Sequence, residues 1–194
     1  NDFRLKIFRN MNSLPDFEKN YYNIAKPYLD VLVGDELAMQ NRINFSIQCP
    51  KDTSSVLPIH ADTWDGNSPF ELVVWLPMVN CFKTKSMYIL PYKENSKFEK
   101  IYKRNSKKKI DVYKTLKKKL RWINIKYGEV LIFNLCLPHG NIENRERESR
   151  WTMNCRFKSL FSPYADKKLG EFFHPLNVKP TTKIGLNYKF IDAE

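Results

Sequence analysis

Two histidines and an aspartate have the residue types and the spacing of a metal-binding triad. His60 and Asp62 form an H-x-D pair and His139 lies far downstream, in a chain that has three histidines in all. Residues two apart on extended backbone project from the same face, so His60 and Asp62 can bind one ion without distorting the strand. Two imidazoles and one carboxylate on one face of an octahedral Fe(II) leave three positions open. The pattern therefore predicts iron on His60, Asp62 and His139, with room for a bidentate co-substrate and dioxygen.

A second set of chemically informative residues lies in an alternating run near the end of the predicted core. Four polar side chains alternate there with apolar ones: Arg150, Thr152, Asn154 and Arg156. Burying two guanidiniums without partners costs several kcal/mol each, so an anion is expected against at least one of them. We expect Arg150 to hold the distal carboxylate of 2-oxoglutarate, assisted by the Thr152 hydroxyl. Arg156 either joins this anion site or pairs with an acidic residue of a neighbouring strand; alternatively, the whole polar face is solvated.

The spacing of the apolar residues along the chain predicts the helices and strands that must position these side chains. Residues 14–40 carry apolar side chains at three- and four-residue spacing and predict a helix, which Pro27 must kink or divide. The period then changes to two. Strands are predicted at 43–47, 71–79, 86–90, 128–133 and 149–160.

The order of these elements predicts a mainly β fold, a double-stranded β-helix (a jelly-roll or cupin-like barrel) with flanking helices. We expect a single domain over residues 1–194. Its predicted parts are a helical segment (1–41), a jelly-roll core (42–162) with a basic helical insertion (93–122), and a C-terminal wrap (163–194).

Composition limits the classes of protein that remain. Hydrophobic residues make up 42% of the chain and aromatic residues 14%, which favours a folded globule. The four cysteines form no C-x-x-C pair, which excludes zinc-ribbon and thioredoxin sites. No apolar run is long enough to span a membrane and no signal peptide is recognisable, so we expect a cytoplasmic protein without membrane contacts.

The positive charge is concentrated in one segment. Residues 97–121 contain twelve Lys or Arg against two acids, within a net charge of +12 for the chain. Such a segment could bind nucleic acid or another polyanion. Because it is nearly all lysine with few interleaved aromatics, we favour a solvated helical face.

The segments around the triad resemble a known family. They are HADTWDGNSPFELVVWLP (60–77), SMYILP (86–91), GE (128–129), HGN (139–141) and RW (150–151). Together they resemble the Fe(II)/2-oxoglutarate oxygenases of carbohydrate and antibiotic gene clusters, the streptomycin-biosynthesis-like branch near the phytanoyl-CoA dioxygenases. The resemblance covers residues 42–162. It implies a jelly-roll dioxygenase that uses Fe(II), 2-oxoglutarate and O2 to oxidise a carbohydrate or nucleotide-linked sugar.

Residues next to the ligands are candidates for contacts with such a substrate. Trp64 offers an indole for stacking on a sugar face, and Asp65 and Glu71 offer carboxylates for hydroxyl groups. Two alternatives remain open. One is a nucleic-acid or nucleotide dealkylating oxygenase with the same chemistry, and the other is a non-catalytic, cupin-like sugar-binding module or a metal-binding epimerase or isomerase. A halogenase is disfavoured because Asp62 retains the carboxylate ligand.

Overall fold

The computed structural model describes residues 2–95, Phe98 and residues 112–191. This part of the chain is mainly β, with antiparallel sheets and flanking helices, as the sequence predicts. Its elements are α1 (Asp2–Asn12), α2 (Phe17–Leu32), β1 (Leu37–Gln40), β2 (Asn44–Gln48), β3 (Glu71–Pro77), β4 (Tyr88–Ile89), α3 (Val112–Leu116), β5 (Arg121–Trp122), β6 (Leu131–Asn134), β7 (His139–Gly140), β8 (Arg150–Ser159), β9 (Phe173–Leu176) and α4 (Pro180–Asn187).

The larger sheet is built around the long strand β8. Its order is β6-β3-β8-β1-β9, and β2 pairs with β8 as well. The period of two along β8 sorts its side chains onto two faces. Cys155 and Phe157 are fully buried in the hydrophobic cluster that α2 covers. The polar residues that alternate with them therefore lie on the opposite face of the sheet.

The helix α2 covers the outer face of this sheet through a stripe of buried residues. Tyr21, Tyr22, Ala25 and Leu29 are buried, and Tyr21 Oη donates a hydrogen bond to the Val74 carbonyl at 2.8 Å. The helix is not divided at Pro27, which lies inside it. Pro27 is exposed, so the carbonyl that its ring leaves without an amide partner lies on the solvent side of the helix.

Two segment boundaries also differ from the predictions. Residues 37–40 form β1 rather than the end of a helix, because Gly34, with φ of +97°, ends the helical region first. The segment after Pro163 is more than a wrap, since β9 pairs with β1 and Phe173 is fully buried. The pairing of β9 with β1 joins residues that are far apart in the chain, so the local sequence does not reveal it.

The smaller sheet has the order β5-β4-β7 and packs against β3 and β6. Val73, Trp75 and Phe133 of the larger sheet share a hydrophobic cluster with Met87 and Ile89 of the smaller one. An isolated antiparallel bridge between His60 and His139 extends the smaller sheet beyond β7. This bridge brings the two predicted histidine ligands together.

Half of the predicted basic insertion lies outside the described residues, which omit 96, 97 and 99–111. Its described end includes α3, where Leu116 is buried against Tyr88, Leu90 and Phe98. None of the helices in the described ranges combines the length and apolar character that a bilayer crossing requires.

Candidate metal centre

The two histidines face each other across one pair of backbone hydrogen bonds. The amide of His60 donates to the His139 carbonyl at 2.9 Å, and the amide of His139 donates to the His60 carbonyl at 2.8 Å. The imidazole centroids are 4.5 Å apart. Residues directly opposite on antiparallel strands place their side chains on the same face. Backbone pairing therefore places the two imidazoles next to each other, although the histidines are far apart in sequence.

Gly140 makes this pairing sterically possible. A Cβ at this position would lie 2.7 Å from Tyr88 Oη and 2.8 Å from the Leu57 carbonyl oxygen. Asn141 holds the same loop from the next position. Its side-chain oxygen accepts a hydrogen bond from the Leu57 amide at 2.5 Å, and its side-chain nitrogen donates to the Ser55 carbonyl at 3.1 Å. The segment entering His60 is thus fixed against the strand that carries His139.

Both imidazoles present the same nitrogen to the site. His60 Nδ1 lies 2.8 Å from the Pro58 carbonyl, and His139 Nδ1 lies 2.9 Å from the Leu137 carbonyl. Because a carbonyl only accepts, each Nδ1 carries the proton and each Nε2 keeps its lone pair for a metal.

The three donor atoms lie close enough to share an ion. Asp62 Oδ1 is 3.4 Å from His60 Nε2 and 3.8 Å from His139 Nε2. Adjacent donors around an octahedral ion with bonds near 2.1 Å lie about 3 Å apart, so small side-chain shifts suffice. Among the described residues, these three form the one group of His, Cys, Asp or Glu with metal-binding spacing.

Arg156 holds the other oxygen of the same carboxylate. Its Nε and Nη2 donate to Asp62 Oδ2 at 3.1 and 2.6 Å, and its Nη1 donates to Gln40 Oε1 at 2.9 Å. Of the two partners foreseen for Arg156, the structure places it on an acidic residue, here the predicted metal ligand. Asp62 is left with Oδ1 facing the two imidazoles.

The electrostatics of the triad keep Asp62 ionised and His139 neutral, whereas His60 holds a proton more readily than a free imidazole. Burial alone would raise the pKa of Asp62, but His60 and Arg156 outweigh it and hold that pKa well below its usual range. Burial lowers the pKa of His139 to about 4. The pKa of His60 is raised, chiefly by its contact with Asp62. At neutral pH the site therefore offers a carboxylate and at least one neutral imidazole.

The triad opens onto a cavity of about 440 Å³ between the two sheets. Arg150, Thr152, Asn154 and Arg156 of β8 all line it, so this face of the strand is turned to the interior and not to bulk solvent. The apolar wall includes Val73, Trp75, Phe133 and Met87. The cavity lies in the size range of small-molecule sites, roughly 300–1,000 Å³.

Arg150 is a buried cation without a carboxylate partner. Its side chain lines the cavity and the residue is 5% exposed. Nη1 donates to the Ser86 carbonyl at 3.0 Å, while Nε is buried without a hydrogen-bond partner. No acidic side chain of the described residues forms an ion pair with it. Burial lowers the pKa of Arg150 to about 10, so the group remains charged at neutral pH. An anionic ligand in the cavity would supply the missing partner.

The residues predicted for substrate contact lie elsewhere. Trp64 stacks on Phe98 at 5.5 Å, and Asp65 is exposed. Glu71 is fully buried and accepts hydrogen bonds from Asn67 Nδ2 at 2.8 Å and the Ser68 amide at 2.7 Å. None of the three lines the cavity that holds the triad. Their closeness to Asp62 in sequence did not place them beside it, because a 3₁₀ turn follows the ligand and redirects the chain.

Several residues of the site were not foreseen from sequence. Gln40 supports Arg156 from β1, and Asn44 and Ser46 reach the cavity from β2. The helix α1 contributes Arg4, Leu5 and Phe8 to the lining. The alternation of Asn44 and Ser46 with apolar residues is a local signal in the sequence. The other positions depend on strand register and helix docking, which the sequence does not show.

The fold resembles that of solved non-haem iron oxygenases and related enzymes. No protein-family model matches the chain, and no curated protein matches it in sequence. Solved structures do match in fold. HygX from Streptomyces hygroscopicus, with nickel and 2-oxoglutarate bound, has a TM-score of 0.60 at 11% identity, covering 79% of this chain and 69% of HygX.

Two further structures show the same likeness. AviO1 from Streptomyces viridochromogenes has a TM-score of 0.56 at 12% identity, covering 80% of this chain and 67% of AviO1. The chain spans about half of ThoJ, a non-haem monooxygenase determined with nickel: the match covers 71% of this chain and 51% of ThoJ, with a TM-score of 0.51 at 14% identity. HygX has been determined with iron bound and with nickel and 2-oxoglutarate bound, and ThoJ with nickel, which is consistent with the predicted cofactors.

Proposed function

We propose that this protein is an Fe(II)/2-oxoglutarate-dependent dioxygenase that oxidises a carbohydrate or a carbohydrate-derived small molecule. The observation that carries the proposal is the buried guanidinium of Arg150, without an acidic partner among the described residues, in the same cavity as two imidazoles and a carboxylate. The triad has the donor atoms to bind a metal ion, and Arg150 has the charge to bind an anionic co-substrate. A sugar-binding module would need neither of these two binding sites.

Each side chain has a defined role in this proposal. His60, Asp62 and His139 would hold the iron, and Arg150 and Thr152 would orient the distal carboxylate of 2-oxoglutarate. When bound, the two cofactors would couple decarboxylation of the keto acid, to succinate and carbon dioxide, to oxidation of a substrate C–H bond by dioxygen. Arg156 would keep Asp62 ionised and oriented. The apolar wall at Val73, Trp75 and Phe133 would exclude water from the reacting groups.

The lining of the cavity supports a hydroxyl-rich substrate. Asn44, Ser46 and Asn154 supply amide and hydroxyl groups to the same lining as the indole of Trp75, and Asn44 Nδ2 donates a hydrogen bond to Asn154 Oδ1 at 3.0 Å. Amides and hydroxyls can both donate and accept, which suits sugar hydroxyls. One of the similar structures, SnoN, is an α-ketoglutarate-dependent epimerase from nogalamycin biosynthesis, at 13% identity and a TM-score of 0.52. We further infer that the two sheets form a double-stranded β-helix of the carbohydrate-cluster branch and that the protein acts in the cytoplasm.

The test is oxygen-dependent conversion of 2-oxoglutarate to succinate by the Fe(II)-loaded protein. We expect slow conversion alone and faster conversion with a matching sugar or nucleotide-linked sugar from a panel. The Asp62→Ala variant should give the background rate. If wild-type protein binds a sugar of the panel but forms no succinate above that background, the sugar-binding module is the better description. Stimulation by alkylated single-stranded DNA, and by no sugar, would favour the dealkylating alternative.

A further inference from the structure

The helix α1 forms one wall of the cavity and brings a positive charge to it. Arg4, Leu5 and Phe8 of this helix are among the lining residues. The other end of α1 is anchored to Ile43, the residue that precedes β2: Asn12 Nδ2 donates to the Ile43 carbonyl at 3.0 Å, and the Ile43 amide donates to Asn12 Oδ1 at 2.8 Å. The helix that carries Arg4 is therefore joined to the start of a strand whose residues also line the cavity.

Arg4 is the cavity cation that the proposed function does not use. Arg156 is paired with Asp62, and Arg150 is assigned to the distal carboxylate of 2-oxoglutarate. Arg4 is half-buried, and no acidic side chain of the described residues forms an ion pair or hydrogen bond with it. Asp62 is the only carboxylate among the described lining residues.

The charges in the cavity do not balance even with both cofactors bound. Three guanidiniums and one divalent ion would face three carboxylates, two of them on 2-oxoglutarate. Two positive charges remain. An excess of this kind in a partly enclosed cavity raises the local concentration of anions and favours an anionic ligand.

We propose that the substrate carries a phosphate group, as a sugar phosphate or within a nucleoside diphosphate sugar, and that Arg4 binds this group. Asn44 and Ser46 line the cavity from β2, the strand that follows Ile43, and offer hydrogen-bond donors to the same ligand. A guanidinium fork matches two phosphate oxygens. The proposal rests on the proposed function, because the remaining charge is counted with iron and 2-oxoglutarate in place.

The test is calorimetric binding to protein loaded with Mn(II) and 2-oxoglutarate without oxygen. The probes are glucose, glucose 1-phosphate, uridine diphosphate glucose and inorganic phosphate. We expect at least one sugar phosphate to bind 10-fold or more tightly than glucose. Arg4→Gln should remove most of this preference. Lys6→Gln is the matched control: it removes the same charge from an exposed position of α1 outside the cavity lining, and should keep the preference.

Two results would overturn the proposal. One is that no phosphorylated probe binds more tightly than glucose. The other is that Arg4→Gln and Lys6→Gln weaken phosphate binding equally, which would indicate general attraction by the basic chain. Binding of Mn(II) and 2-oxoglutarate is measured first in each variant. If that loading succeeds and the phosphate preference is absent, the inference about the substrate fails alone; if loading fails in wild-type protein, the proposed function fails.

Discussion

The two histidine ligands have the same hydrogen bond at Nδ1 but differ in how readily they take up a proton. His139 is more enclosed, and burial lowers its pKa to about 4. The contact between His60 and Asp62 raises the pKa of His60 above its ordinary value of 6.5. Asp62 keeps a pKa well below its usual range because His60 and Arg156 stabilise its charged form against burial. One proton, on His60, therefore competes with iron in weakly acidic solution.

This difference predicts the pH dependence of iron binding. A proton on His60 must leave when iron binds, whereas Asp62 is already ionised and His139 is already neutral above its pKa of about 4. Between about pH 5 and pH 6, log Kd for Fe(II) should therefore rise by about one for each unit by which the pH falls. It should level off above the pKa of His60. Anaerobic calorimetry across this range measures the slope, and a slope near two would mean that both imidazoles titrate together.

The contact between Arg156 and Asp62 predicts a selective defect. Arg156→Gln removes two hydrogen bonds from Asp62 Oδ2, so the ligand loses both its orientation and part of its charge stabilisation. We expect Fe(II) affinity to fall about 10- to 100-fold, the usual range for residues that orient metal ligands. At saturating iron, affinity for 2-oxoglutarate should be nearly unchanged. Arg156→Lys should recover part of the iron affinity.

The opposite pattern in the Arg156 variants would reassign the residue. Loss of 2-oxoglutarate binding with iron affinity intact would mean that Arg156 contacts the co-substrate directly, which is the other role predicted for it from sequence.

Gly140 of β7 lies close to the backbone of Leu57 and Pro58 and to the side chain of Tyr88 in β4. A methyl group there would lie 2.7 Å from Tyr88 Oη, 2.8 Å from the Leu57 carbonyl oxygen and 3.0 Å from the Pro58 carbonyl oxygen. Two of these three atoms are backbone atoms, which leave little room for relaxation. The same segment carries His60, so a shift here separates the two imidazoles.

Gly140→Ala should therefore impair both stability and metal binding. Overpacking of this kind costs about 1–3 kcal/mol, and we expect iron affinity to fall more than 10-fold. Gly185→Ala is the matched control: a Cβ there meets no atom within 4 Å, and the residue lies in α4. Thermal unfolding and iron titration of both variants test the prediction. Equal behaviour of the two variants would show that the close approach at Gly140 is unimportant.

Local periodicity predicted the strand that carries the polar residues and the existence of the helix that supports it, but not which side of that helix docks. The alternation along 149–160 correctly predicted β8 and its polar face, because successive side chains of a strand point to opposite faces whichever strands pair with it. In α2, apolar spacing is not the same as burial: Ile24, Tyr28 and Leu32 are apolar residues at this spacing, yet all three are exposed. Tyr22 and Ala25 are buried instead, because the sheet surface determines which side of the helix docks.

The site shows the same division between local and long-range information. The H-x-D spacing indicated two ligands on one face, and the chain had few other histidines to complete the set. The backbone pairing of His60 with His139, the contact of Gln40 with Arg156, and the position of Arg4 depend on register and helix docking. The residues adjacent in sequence do not indicate these contacts, so the contacts are visible only in the structure.

Across the protein, positive charge is concentrated in one segment of the sequence and, separately, in the cavity. The chain carries a net charge of +12, and the segment 97–121, about half of which lies outside the described residues, supplies most of it. The cavity has its own excess of positive charge, with three guanidiniums and a single carboxylate among its described lining residues. The interior excess is the more informative one, because burial makes each uncompensated charge costly and so predicts a ligand.

The central claim is that iron and 2-oxoglutarate share the cavity of His60, Asp62, His139 and Arg150. Anaerobic titration of the apoprotein with Fe(II) and then 2-oxoglutarate tests it most directly, through the weak visible charge-transfer band of an iron-chelated keto acid. We predict that the band forms in wild-type protein. Arg150→Met should need about 10- to 100-fold more 2-oxoglutarate, as loss of a charged hydrogen-bond partner implies, with iron affinity unchanged. Arg145→Met, at an exposed arginine, should behave as wild type. Iron binding without the band, or equal 2-oxoglutarate affinity in wild type and Arg150→Met, would contradict the claim.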